Sequence, residues 1–296
     1  NVLEYYRYHG DEYMKICVAG LGLIGGSLCM ALGRAGFMPD GWNRSPAPVE
    51  YALKNAIIGG VATDFSLYDV VFVALPPRAS ADFICGTAFK DGAVVADICG
   101  VKQFIERAVY SQPRNFYYVG THPMAGKEVS GIKNACADLF DRANMVITTC
   151  PATHAPALEL IKELTRKMGF ARIVECSAEV HDRKIAYTSQ LAHVVSNAYV
   201  KDGEIAGCAG FTGGSFQDMT RIAGVDEGVW SELYLLNSAN LSGRIDTLIK
   251  NLSDIKAVVE KGDANALAAL LKEGRAIFTR PTENPADDDI KVTRLK

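Results

Sequence analysis

The sequence predicts an α/β chain, with a doubly wound parallel sheet over residues 14–177 and an all-α domain over 178–280. Three observations predict it. Short Val/Ile-rich runs alternate with helical segments as far as Cys176, the pattern of strands covered on both faces by crossover helices. A glycine-rich turn joins the first strand to the first helix. After Ser177 the strand pattern stops and apolar residues recur at helical spacing.

Taken in order, residues 1–13 (NVLEYYRYHGDEY) have no period and are expected to be an extension. KICVAG reads as a strand, Ile24 to Ala35 as a helix, GWN as a short strand and Pro46 to Asn55 as a helix. DVVFVAL, AVVADIC, NFYYVGT, MVITTC and RIVEC read as further strands, with helices near Ala79 to Ala88 and Ala155 to Met168. In the second domain Leu241, Ile245, Leu248, Ile249, Leu252, Ile255 and Val259 recur at helical spacing. Asp263 and Ala264 can then cap a helix through Phe278. Residues 281–296 turn polar and are expected to form a loosely held tail.

The 296 residues allow about two domains, and 49% hydrophobic content with mean hydropathy +0.07 is enough for buried cores. Thirty-one Lys+Arg against 34 Asp+Glu, without a run of one sign, leaves no footprint for nucleic acid. The longest apolar stretch, Val70 to Leu75, is far short of the roughly 18 residues a membrane span needs, and no export signal opens the chain. Eight cysteines without CxxC spacing read as reduced thiols in a cytoplasmic protein. Five histidines without HxxxH or HxH spacing predict no metal site.

The sharpest motif is Gly20-Leu21-Gly22-Leu23-Ile24-Gly25-Gly26 between a strand and a helix. Gly20 permits the turn, Gly22 lets a pyrophosphate approach the backbone, and Gly25 lets helix and strand pack closely, so a Rossmann-type dinucleotide site is expected. The second strand closes on Asn43-Arg44-Ser45 rather than on a carboxylate. An acidic side chain there would bind ribose hydroxyls, whereas a guanidinium and a hydroxyl suit a 2′-phosphate; NADP is therefore expected over NAD, unless Arg44 is an ordinary solvated residue.

Ligands of open parallel sheets bind beyond the carboxyl ends of strands. Pro76, Cys99-Gly100 and Thr121-His122-Pro123 stand at such ends, and His122 is the best-placed proton acceptor. In the helical domain Gln190, His193 and Asn197 fall at i, i+3 and i+7, one polar stripe that either lines a substrate or mates with a loop. Arg221 follows a glycine stretch and suits either a substrate carboxylate or a pair with Asp218.

The succession GLGLIGGS, THPMAGKE, HD with TSQLAH, FQDMTRIA and the segment from Trp230 to Asn237 resembles the prephenate/arogenate dehydrogenase family of tyrosine biosynthesis, from about Met14 to Arg280. The resemblance implies NAD(P)-dependent oxidative decarboxylation of prephenate to 4-hydroxyphenylpyruvate, or of arogenate. It implies His122 as catalytic base, with Arg221, His193, Ser189 and Gln190 as substrate contacts. Glu128 and Asp218 match acidic residues of an ionic network at the pocket mouth. Two departures stand out: Gly100 replaces the family's usual serine, and Gln190 stands where histidine is common. No chorismate mutase or ACT segment is found in the chain. Other Rossmann-plus-helical NADP dehydrogenases and a catalytically inactive dinucleotide sensor are the competing readings. A homodimer is expected, because the helices from Leu241 to Phe278 are too apolar to pack on one face alone.

Overall fold

A computed structural model describes residues 14–279 and 289–295. The expected extension 1–13 lies outside them. The described chain divides into two units. The first takes residues 14–182, Gly224–Leu236 and 291–295; the second takes Arg183–Ala223 and the residues from Asn237 to Ile290 that are described.

The first unit is an eight-stranded sheet in the order β2-β1-β3-β4-β5-β6-β7-β8. Its elements are β1 (Ile16–Ala19), α1 (Leu23–Arg34), β2 (Asp40–Trp42), α2 (Pro46–Lys54), β3 (Val70–Val73), α3 (Pro77–Gly86), β4 (Val94–Asp97) and α4 (Gln103–Tyr110). They continue with β5 (Tyr117–Pro123), β6 (Asn144–Thr148), α5 (Ala155–Lys167), β7 (Arg172–Cys176) and β8 (Lys291–Arg294). Every residue of β1, β3 and β4 is buried, as the continuous apolar runs require of strands covered on both faces. Alternate residues divide between two cores. Ile16, Val18, Val70 and Phe72 pack with Leu28 and Leu32 of α1 and Leu160 of α5. Cys17, Val71 and Val73 pack with Ile84 of α3 and Ile105 of α4.

Three expectations need correction. The sheet is mixed, since β5 pairs antiparallel with β6 and β7 pairs antiparallel with β8. Only a three-residue 3₁₀ turn, Ile132–Asn134, lies between β5 and β6, and an antiparallel pair needs no crossover helix. Of the expected tail, residues 281–288 and 296 lie outside the described residues, and Lys291–Arg294 form an edge strand on β7, where Lys162 and Lys291 both face Glu175. Lysine and alternation are the usual dress of an edge strand, which is why the segment reads as polar tail. The boundary also shifts, because α6 as far as Asp182 and the whole of α9 fall in the first unit; α6 is Ala178–Ile185 and α9 is Glu227–Leu236. Helix α4 lies in a stretch to which no element is assigned from sequence.

In the second unit Ala186–Gln190 form a π-turn, with the Leu191 N–H donating to the Ala186 carbonyl, and α7 (Leu191–Tyr199) follows. Helix α8 (Gly214–Thr220) runs into a 3₁₀ turn, Arg221–Ala223. Helices α10 (Ser238–Lys261) and α11 (Ala264–Phe278) match the predicted period. Between them Gly262 takes the left-handed conformation (φ 65°) that ends a helix, and Asp263 caps the next by accepting from the Ala266 N–H at 2.9 Å. No helix among the described residues is long and apolar enough to cross a membrane.

Candidate active site

The glycine turn follows β1 at the point where the strand order reverses, with β2 on one side of β1 and β3 on the other. Gly20 has φ +104°, and a Cβ there would lie 2.2 Å from the Ala74 carbonyl oxygen at the end of β3. A Cβ on Gly25 would lie 1.8 Å from the Gly20 carbonyl oxygen, so neither position admits a side chain. Over Gly22 the space is open. Gly22 is also the N-cap of α1, and no side chain caps that helix, which leaves its first N–H groups for an anion. Leu23 is buried and Ile24 half-buried beneath the turn. The residues present thus fit a dinucleotide pyrophosphate.

At the end of β2, Asn43 reaches back to the same turn: its Oδ1 accepts from the Leu21 N–H at 3.0 Å, while its Nδ2 donates to the Ser45 carbonyl at 3.1 Å. Arg44 and Ser45 are exposed beside it. Ser45 is the N-cap of α2 but makes no side-chain capping bond. Pro76, exposed, is the N-cap of α3 at the end of β3.

His122 is the penultimate residue of β5, opposite Val146 of β6, and is half-buried. Its Nδ1 lies 2.9 Å from Nε2 of His181, and Nδ1 of His181 lies 2.7 Å from Oδ1 of Asp182. Asp182 in turn accepts the backbone N–H groups of Lys102 (2.8 Å) and Gln103 (3.0 Å) at the start of α4. On the other edge of the ring, a Cβ at Gly100 would stand 3.7 Å from His122 Nε2 and 3.3 Å from Leu233 of α9. Beneath lies a fully buried ion pair, Lys102 with Asp97 at the end of β4. Lys102 also donates to the Thr121 carbonyl, and Asp97 accepts from Tyr118 Oη at 2.7 Å and the Cys99 N–H at 2.9 Å. Thr121, the residue before His122, is thereby tied to the end of β4 and the start of α4.

Burial, the neighbouring His181 and the Lys102 ammonium hold the His122 pKa well below the ordinary histidine value. Burial also lowers His181, against the opposing pull of Asp182. Desolvation and then Asp97 push the Tyr118 phenol up. Such a neutral imidazole, seated at a strand end, can accept a proton.

Ser189, Gln190, His193, Asp218 and Arg221 belong to the second unit. Of the predicted polar stripe, Gln190 closes the π-turn, while His193 and Asn197 lie on α7 and are half-buried. Gln190 is buried and accepts from Asn237 Nδ2 at 2.8 Å, whereas His193 is half-buried and donates from Nδ1 to the Ile222 carbonyl at 2.9 Å. That bond ties His193 to the residue next to Arg221. Arg221 and Asp218 are exposed, as is Glu128 in the loop after β5. Among the described residues no group of three or more His, Cys, Asp or Glu could hold a metal ion.

Sequence reasoning gave His181, Asp182, Lys102 and Asp97 no role. The HD pair stood in the quoted motifs, and Asp97 is a carboxylate closing an apolar strand, but nothing local says that β4, β5 and α6 converge.

An anion-ready glycine turn and a neutral histidine, both at the carboxyl edge of a mostly parallel sheet, define a dinucleotide-dependent oxidoreductase. Residues 42–175 match the prephenate dehydrogenase nucleotide-binding domain and residues 177–273 match the prephenate dehydrogenase dimerization domain. The chain belongs to the prephenate dehydrogenase family. It is 29% identical over 275 residues to the prephenate dehydrogenase of Bacillus subtilis, covering 88% of this chain and 74% of that one. With the cyclohexadienyl dehydrogenase of Zymomonas mobilis it shares 27% identity over 89% of this chain and 94% of the other. Among solved structures it is similar to prephenate dehydrogenase from A. aeolicus in complex with hydroxyphenyl propionate and NAD+ (TM-score 0.77, 26% identity, 90% of this chain and 98% of that one). It is also similar to Synechocystis arogenate dehydrogenase (TM-score 0.75, 26% identity, 90% and 99%). The fold and family bear out the resemblance read from the sequence, and the cofactor is a nicotinamide dinucleotide.

Proposed function

We propose that the chain catalyses NAD(P)-dependent oxidative decarboxylation of prephenate to 4-hydroxyphenylpyruvate. The observation that carries this reading is His122, a neutral imidazole whose Nε2 edge lies beside Gly100 at the carboxyl end of the sheet. Arogenate is the second substrate to consider, since an arogenate dehydrogenase and a cyclohexadienyl dehydrogenase are among the similar proteins. The nicotinamide, when bound, accepts the hydride from the ring carbon that bears the hydroxyl. His122 takes the hydroxyl proton at Nε2, and the electron pair left on oxygen becomes the new carbonyl bond. As the ring carboxylate leaves as carbon dioxide, its electrons aromatise the ring, and the imidazolium returns its proton to the phenolate oxygen. Aromatisation drives the reaction, so the protein needs only to orient, deprotonate and exclude water.

Arg221 is assigned a substrate carboxylate and His193, held by its bond from Nδ1 to the Ile222 carbonyl, a substrate hydrogen bond. Ser189 and Gln190 belong to the π-turn before α7, with Gln190 acting through Asn237, and Glu128 and Asp218 are each assigned to ionic contacts near the substrate. Gly20, Gly22, Leu23, Ile24, Gly25 and Pro76 hold the dinucleotide, and Asn43 keeps the end of β2 against the turn. NADP is preferred: Arg44 and the Ser45 hydroxyl, both exposed, suit a 2′-phosphate. The protein works in the cytoplasm as a homodimer. The matched dimerization domain supports this, as do exposed Ile249, Leu252, Val259, Leu271, Ile277 and Phe278 on α10 and α11. Assays of prephenate and arogenate, each with NAD and NADP, test the reading. Turnover of prephenate with formation of 4-hydroxyphenylpyruvate is expected, and turnover of neither substrate overturns it.

A further inference from the structure

A neutral imidazole is a base at only one of its two nitrogens, and the hydrogen-bond chain around His122 determines which. The chain starts at Asp182, whose Oδ1 and Oδ2 accept the N–H groups of Lys102 and Gln103. A carboxylate held this way is an acceptor, so His181 Nδ1, 2.7 Å from Oδ1, carries a hydrogen. Neutral His181 then has its lone pair on Nε2. That atom lies 2.9 Å from His122 Nδ1, which must be the donor. The remaining lone pair of His122 falls on Nε2, the edge beside Gly100 and Leu233.

We propose that His181 and Asp182 are positioning residues that lock His122 in the Nδ1–H tautomer, so that Nε2 faces the reacting hydroxyl as a base. The proposal rests on His122 being the proton acceptor, and it says what orients the ring where Gly100 offers no hydroxyl at the Nε2 edge: the ring is held from its Nδ1 side. When the substrate O–H bond breaks and the Nε2–H bond forms, the cation on His122 is linked through His181 to the Asp182 carboxylate. The same bonds survive as the proton returns to the phenolate oxygen. The charged groups around the pair are Asp182 on α6, Lys102 before α4 and Asp97 closing β4, while α9 presents Leu233. Both rings are thus fixed by three elements of one unit. Orienting partners of this kind are worth about 10- to 100-fold where they set the tautomer and direction of a working histidine.

The test uses the full chain labelled with ¹⁵N-histidine. Two-bond ¹H–¹⁵N correlation spectra report the tautomer of each ring, with His122 assigned from its loss in His122→Asn. At neutral pH both His122 and His181 are expected as Nδ1–H tautomers. In His181→Phe the His122 ring is expected to become a mixture of tautomers, and kcat to fall about 10- to 100-fold with KM and cofactor affinity little changed. His181→Gln, whose side-chain oxygen can accept from Nδ1–H, should restore most of the loss. An Nε2–H tautomer of His122 in the unsubstituted protein overturns the proposal, and that reading needs neither turnover nor a folded variant. A folded His181→Phe enzyme with unchanged kcat and pH profile also overturns it. If no substrate is turned over while the tautomers are as expected, the assigned reaction fails and the lock stands.

Discussion

In the proposed reaction His122 is the base, and its surroundings set the pH at which it would work. An unperturbed histidine titrates near 6.5, but burial, His181 and Lys102 lower the value here. The acid limb of kcat/KM is therefore expected below pH 6.5, since the base works only when neutral. The linkage has the matching sign. Between the folded and unfolded values the unfolded chain binds more protons, so His122 and His181 reduce stability as pH falls below about 6.5 and cost nothing above it. Denaturant titrations at several pH values check this; a limb above 6.5 would assign it to another group. Arg221→Ala is expected to raise KM by the loss of about 2–4 kcal/mol while cofactor affinity holds, because the contact assigned to it is with a substrate carboxylate. Unchanged KM with a lower melting temperature would make it a structural residue paired with Asp218. At this scale the sequence showed His122 through its place after a strand and before a proline. His181, Asp182 and Lys102 stayed hidden because they meet it only through the convergence of β4, β5, α4 and α6.

The proposed preference for NADP rests on the turn after β2. Asn43 is occupied with the backbone of Leu21, which leaves Arg44 and Ser45 to meet what lies beyond the strand. One charge-assisted contact to a 2′-phosphate contributes roughly 1.5–3 kcal/mol, so Arg44→Ala should erase a preference for NADP of about tenfold or more. Measured kcat/KM with both cofactors checks it, and a protein that uses NAD better shows Arg44 to be a bystander. Most elements were legible from the period of their apolar residues, including the cap at Asp263. The antiparallel turn of β6 and the pairing of β8 were not. Both depend on which strands become neighbours, and an edge strand such as Lys291–Arg294 carries the same lysine and alternation as a solvated tail.

For the whole molecule, exposed apolar residues along α10 and α11 are more than a lone helical unit needs. Light scattering is expected to give a dimer at micromolar concentration, and Leu252→Glu with Val259→Glu to shift it toward monomer; a monomeric parent protein contradicts the assembly. The two-domain division was readable from the change of periodicity near Ser177. The return of Gly224–Leu236 to the first unit was not, since a helix does not announce which core it joins.

The central claim is that His122 accepts the hydroxyl proton of prephenate, and steady-state kinetics of the parent protein beside His122→Asn test it most directly. Asparagine keeps a hydrogen bond but cannot act as the base. The parent is expected to reduce NADP in a prephenate-dependent reaction, with 4-hydroxyphenylpyruvate formed in equal amount. In the variant kcat is expected to be about 10²–10⁴ lower at nearly unchanged cofactor affinity. A His122→Asn enzyme that turns prephenate over at the parental rate would contradict it.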